Sequence, residues 1–105
     1  LSAYVASKHA VVGIMRVAAI EFANRGIRIN TIHPGPVNNR MMRSIEESIS
    51  PGHAKDVQKG FEAEILFKRY AESKEIAQLA LFLASDASSY ITGAMHVIDG
   101  GMNVN

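Results

Sequence analysis

At 105 residues the chain has at most one domain's length, and 48% hydrophobic with 20% charged residues is ample material for a packed core. The formal net charge is +1 and the basic residues are scattered, which argues against nucleic acid and anionic membrane as partners. The absence of cysteine excludes disulfides, cysteine metal sites and thiol nucleophiles.

Residues 3–24 read as a helix with apolar side chains on almost every face, among them Val11, Ile14, Met15, Val17, Ile20 and Phe22. Such a helix needs cover on more than one side: a sheet on one, a second helix or another subunit on the other. Its longest uninterrupted apolar run, Ala10–Met15, is too short to span a bilayer and is closed by Arg16. With no signal peptide evident, the expected location is the cytoplasm. The chain starts with Leu inside this helical pattern and so reads as a piece of something longer.

Near the start of the helix stand Tyr4 and Lys8, four residues apart and therefore on one face. A phenol ordinarily holds its proton until about pH 10. A neighbouring ammonium and the positive end of the helix dipole both favour the phenolate, so the pair is a candidate general acid or base. Ser7, between them, reads as a packing residue.

Asn24-Arg25-Gly26 supplies the helix stop, and Ile27 to His33 follow as a β-rich run ended by Pro34-Gly35-Pro36. A helix followed at once by a strand is half of a parallel α/β repeat. From residue 38 to about 70 the periodicity changes: Met41, Ile45 and Ile49, then Val57, Phe61 and Ile65, mark two short amphipathic helices separated by Ser50-Pro51-Gly52. They read as a lid, or as two ordinary surface helices. Glu46, Glu47, Glu62 and Glu64 read as solvated helix faces.

A further helix over 73–85, capped by Glu72 or Ser73, carries Ile76, Leu79, Ala80 and Leu83 as its core stripe, broadened by Phe82. Asp86-Ala87-Ser88-Ser89 breaks it. Ala94 to Ile98 is then a short buried strand, ended by Asp99-Gly100-Gly101. His9, His33, His53 and His96 lack metal-ligand spacing, and no metal site is expected.

Several of these segments act together as a signature: Tyr4 and Lys8 on a helix, Arg28-Ile29-Asn30, Pro34-Gly35-Pro36-Val37, Glu75-Ile76-Ala77, Phe82-Leu83-Ala84-Ser85-Asp86, Tyr90-Ile91-Thr92-Gly93 and Asp99-Gly100-Gly101. In this order and spacing, over essentially the whole chain, the sequence resembles the C-terminal half of a short-chain dehydrogenase/reductase. The resemblance implies an α/β fold: the C-terminal part of a Rossmann-like, doubly wound parallel sheet in a single NAD(P)-binding domain that would take in all of residues 1–105, with residues 38–70 as the variable substrate-binding lid.

The resemblance also implies hydride transfer between NAD or NADP and a small-molecule ketone or secondary alcohol, such as a 3-oxoacyl thioester or a small cyclic alcohol. Tyr4 matches the family's proton donor or acceptor. Lys8 matches the residue that lowers the phenol pKa and bonds the nicotinamide ribose. Pro34, Gly35 and Val37 match the segment beside the nicotinamide, where main-chain groups bind the carboxamide. Asn39 stands where the family usually has a threonine that touches cofactor phosphate. The last helix and strand match a subunit interface, so a homo-oligomer, dimer or tetramer, is expected. The glycine-rich phosphate loop and the serine that polarises the substrate carbonyl have no counterpart in these residues, and the piece alone is expected to be inactive. The competing expectation is a natural truncated product, a non-catalytic module for oligomerisation or interaction.

Overall fold

The structure, a computed structural model, describes residues 2–104. Its elements follow the order helix, strand, two helices, helix, strand: α1 (Ser2–Phe22), β1 (Thr31–Pro34), α2 (Arg40–Ile49), α3 (Ala54–Glu64), α4 (Ser73–Ala84) and β2 (Met95–Ile98). β1 pairs with β2. Thr31 N–H donates to Ala94 O (3.1 Å) and Gly35 N–H to Ile98 O (3.0 Å), so the partners advance together and the pair is parallel.

Two compact units make up the chain, the first running to Ile32 and including Ala80–His96, the second comprising His33–Leu79 and the chain from Val97 onward.

In the first unit, α1 tightens into a 3₁₀ turn over Ala23–Arg25 and stops at Gly26, whose φ of 72° is the left-handed position that glycine takes without a Cβ penalty. Met15 and Ala19, four residues apart, are the buried face of α1. Val11, Ile14, Val17 and Ile20 are exposed. By length and composition alone, Ser2–Arg25 would cross a bilayer, a property that counting only uninterrupted apolar residues misses. Arg16 lies midway along it and donates to Met95 Sδ (3.8 Å), so one face of this helix is engaged with protein.

The expected strand over 27–33 is shorter and later than its β-rich run suggests. Ile27 to Asn30 precede the ladder: the Ile27 N–H bonds back to Phe22 O (3.4 Å), and the polar groups of Ile29 and Asn30 are taken by the loop ahead of β2. Thr92 Oγ1 accepts from Ile29 N–H (3.0 Å), Ile29 O accepts from Gly93 N–H (2.7 Å), and the Asn30 amide donates to Ile91 O (3.2 Å). Pro34 lies inside β1, not beyond it. Arg28 fastens the end of α4: its Nη1 donates to Leu83 O (2.9 Å) and Ser88 Oγ (2.8 Å), and its Nη2 donates to Ser85 O (2.9 Å). These carbonyls are among the last of a helix and have no partner within it, so a guanidinium is well suited to hold them.

In the second unit, α2 and α3 lie side by side, joined through Gly52 at φ 80°. Ile65 and Tyr70 are buried. Glu46, expected on a solvated face, is buried at 1% exposure, while Met41 (70%) and Ile49 (58%) of the predicted apolar stripe are exposed. Main-chain bonds from Asn38 N–H to Ala71 O (2.8 Å) and from Ala71 N–H to Pro36 O (3.0 Å) form a single parallel bridge between Val37 and Ala71. α4 starts with half a capping box: Glu75 Oε1 accepts from Glu72 N–H (2.9 Å).

Candidate active site

In the first unit, Tyr4 occupies the first turn of α1 and Lys8 the next. The helix needs no special device to place them, since a separation of four residues stacks one side chain over the other. Lys8 Nζ lies 5.2 Å from the centroid of the Tyr4 ring, within reach of a cation–π interaction. Tyr4 is 62% exposed, so its hydroxyl stands open to an incoming group. Ser7 lies between them but donates its hydroxyl back to Tyr4 O (2.7 Å), a local bond within the helix. The neighbouring His9 uses Nδ1 on Val5 O (2.9 Å). A phenol and an ammonium can both donate to sugar hydroxyls and to a carbonyl oxygen, so this donor set fits a nicotinamide riboside beside a carbonyl substrate.

In the second unit, Pro34 ends β1, and Gly35 has a packing reason of its own. A Cβ at Gly35 would lie 2.8 Å from Asp99 Cβ and 2.9 Å from Asp99 Cα. Asp99 in turn shapes the closing turn, its carboxylate accepting from Gly101 N–H (2.9 Å) and Asn103 N–H (3.2 Å). At Val37 the bridge to Ala71 runs through the flanking Pro36 O and Asn38 N–H. In that pattern the N–H and C=O of Val37 itself point to the other edge. Asn39 is the N-cap of α2, its Oδ1 accepting from Met42 N–H (2.9 Å), so its carbonyl oxygen is committed to the helix.

Two clusters in the same unit escape the sequence reading. Arg69 and Glu75 form a bidentate pair, Nη1 to Oε1 at 2.8 Å and Nη2 to Oε2 at 3.0 Å. The guanidinium and the Glu72 N–H together hold the Glu75 carboxyl down to about 2, and the carboxylate raises the Arg69 pKa. The pair borders a cavity of about 110 Å³ lined also by Pro36, Phe67, Ala71 and Asp99. The only signal for it was Glu75 at the third position of a helix, where a carboxylate reaches back to the cap. The second cluster is Glu46, Tyr70 and Arg43. Burial first, and then the Glu46 carboxylate, push the Tyr70 phenol well above its ordinary value. Helix periodicity gave no hint of it.

A helix bearing Tyr4 and Lys8 on one face, a parallel strand pair and the closing Asp99-Gly100-Gly101 turn are the elements of part of a Rossmann-like α/β domain. Comparison with known proteins agrees. The profile of the family described as enoyl-(acyl carrier protein) reductase matches residues 1–103. Oxidoreductase UcpA of Salmonella typhimurium is 44% identical over 95% of this chain and 38% of its own length. Among solved structures, a short chain dehydrogenase family protein from Francisella tularensis superposes with a TM-score of 0.92 at 34% identity, over 98% of this chain and 44% of that one. A 4-hydroxyisoleucine dehydrogenase complexed with NADH superposes with a TM-score of 0.85 at 31% identity, over 99% of this chain and 40% of that one. The chain belongs to the short-chain dehydrogenase/reductase family, and it spans less than half the length of these relatives.

Proposed function

We propose that this chain is part of an NAD(P)-dependent oxidoreductase that interconverts a ketone and a secondary alcohol, the candidates being a 3-oxoacyl thioester and a small cyclic alcohol. The observation that carries the reading is the Tyr4–Lys8 pair, an exposed phenol with an ammonium 5.2 Å from its ring centroid. A nicotinamide, when bound, supplies the hydride for reduction and takes it up in oxidation. Tyr4 Oη gives its proton to the substrate oxygen in reduction and accepts it in oxidation. The Lys8 ammonium favours the negative charge that develops on Tyr4 Oη as the proton leaves, and it has donors to spare for the ribose hydroxyls. Val37 offers its main chain to the carboxamide, beside Pro34 and Gly35. Residues 38–70 serve as the substrate-binding lid. Two or four copies assemble in the cytoplasm through α4 and β2, which is supported by the exposed Leu81 (71%) and Val97 (56%).

The experiment is a nucleotide titration and a turnover assay on the protein that carries this chain. Fluorescence should report NADH or NADPH binding, and Tyr4→Phe should lower kcat by about a thousandfold while nucleotide affinity persists. Lys8→Ala should damage both. Full turnover by Tyr4→Phe sinks the assignment. The bare apolar residues Val11, Ile14, Val17 and Ile20 favour a second reading, a non-catalytic oligomerisation or interaction module. A protein that self-associates but binds neither nucleotide would establish it instead. The 105 residues as an isolated polypeptide are expected to be inactive, which the same two assays check.

A further inference from the structure

α2 is set into its unit by a carboxylate and not by its apolar stripe. Glu46 is 1% exposed, whereas Met41, Ile45 and Ile49 on the same helix are exposed. A carboxylate at that depth persists only with partners that replace its hydration. It has them on two sides. Tyr70 Oη donates to Glu46 Oε2 (2.5 Å). Arg43, one turn upstream, approaches Oε1 through Nε (3.0 Å) and Oε2 through Nη2 (3.3 Å). The Arg43 guanidinium also lies 5.6 Å from the centroid of the Tyr70 ring. Each member of the trio thus touches the other two, and Tyr70 sits in the segment between α3 and α4, outside the helix it holds.

The directionality matters. An apolar stripe slides over its neighbour with gradual loss of contact area, but hydrogen bonds weaken steeply once donor and acceptor turn away from each other. Rolling α2 about its axis therefore breaks the Tyr70–Glu46 bond and leaves a buried carboxylate short of a partner. At about 100° of rotation per residue, Ile45 points about 100° away from Glu46 around the axis. Fixing Glu46 inward thus keeps the Met41–Ile45 side outward.

We propose that Glu46 is a positioning residue for substrate: fastened to Tyr70, it fixes the rotation of α2 and so holds the Met41 and Ile45 side chains where they bound the apolar body of the ketone or alcohol. The proposal rests on the reading of residues 38–70 as the substrate-binding region.

The test has two arms, both on the protein that carries this chain. In the first, native-state trypsin cleavage after Arg40 and Arg43 reports opening of α2. Tyr70→Phe and Glu46→Ala should accelerate it about tenfold, and Glu46→Gln, whose amide oxygen can still accept from the phenol, should accelerate it less. In the second, steady-state kinetics should show the KM for a 3-oxoacyl thioester raised about fivefold in Tyr70→Phe with kcat and nucleotide affinity unchanged. Both shifts are required. An unchanged cleavage rate, an unmoved KM, or a fall in kcat alone overturns the proposal. If Glu46→Ala does not accumulate as folded protein, Tyr70→Phe, which removes a single oxygen, carries both arms. Absence of turnover in the unaltered protein overturns the oxidoreductase reading and the substrate role with it, while the cleavage arm still separates a real fastening of α2 from none.

Discussion

Asp99 stands so close to Gly35 that a methyl group at position 35 would lie 2.8 Å from its Cβ and 2.9 Å from its Cα. The second of these atoms is main chain and cannot swing away. Gly35→Ala should therefore destabilise the protein by about 1–3 kcal/mol through local overpacking. Chemical denaturation without nucleotide is the relevant measurement. A loss seen there belongs to the fold, whereas a loss confined to nucleotide affinity would make Gly35 purely a cofactor residue.

Asn39 is open to a similar separation of roles. As the N-cap of α2 its side chain accepts from Met42 N–H. Asn39→Ala should cost about 1 kcal/mol, and Asn39→Asp, which keeps the acceptor, should cost little. Equal losses in the two variants would rule out capping as its contribution.

The Arg69–Glu75 pair gives the protein an acid-sensitive element. The Glu75 carboxyl is held at about 2 against an ordinary 4.5, so the folded chain binds its proton less readily than the unfolded chain does. Its contribution is complete above about pH 4.5 and is lost as pH falls through about 2. Thermal melts between these values should show a shallower acid slope for Glu75→Gln than for the unaltered protein. Because both side chains are partly exposed, added salt should shrink the difference.

Tyr70 behaves in the opposite sense. Its phenol is pushed upward by burial and by the Glu46 carboxylate, so the folded state keeps a proton that the unfolded state releases near pH 10. The stabilisation is complete below about pH 10 and is lost as pH rises towards the folded value. A difference ultraviolet titration of the unaltered protein against Tyr70→Phe should show this phenol ionising only together with loss of helical circular dichroism. Ionisation in the intact fold would contradict its burial.

What the sequence disclosed follows the range of the interactions concerned. Helix spans depend on period and local stops, and α1 through α4 fall close to the expected boundaries, with Gly26 in the left-handed conformation its position implied. The β-rich run from Ile27 to His33 marked a strand but gave its start too early. What delays it is the capture of Ile29 and Asn30 by Ile91, Thr92 and Gly93, more than 60 residues away. Glu46 shows the same limit more sharply. On a helical wheel it is one more acid beside Glu47; Arg43 one turn away is a local partner, but Tyr70, 24 residues further on, is one that no helical wheel shows. Tyr4 and Lys8 were legible as a pair because four residues along a helix is a local relation. The jobs of Gly35 and Asn39 within the fold were not, since the first depends on Asp99 and the second on where α2 begins.

The three bonds of Arg28 have a consequence for the order in which the chain becomes structured. Their acceptors lie 55 to 60 residues downstream. During synthesis the guanidinium is made long before the carbonyls and hydroxyl it will hold, and closing a loop of that length comes late because its entropy must be lost before any bond repays it. Contacts formed after the rate-limiting step govern how fast a protein comes apart, not how fast it assembles. Arg28→Ala is therefore expected to raise the unfolding rate more than it lowers the folding rate, a split that denaturant-jump kinetics would check.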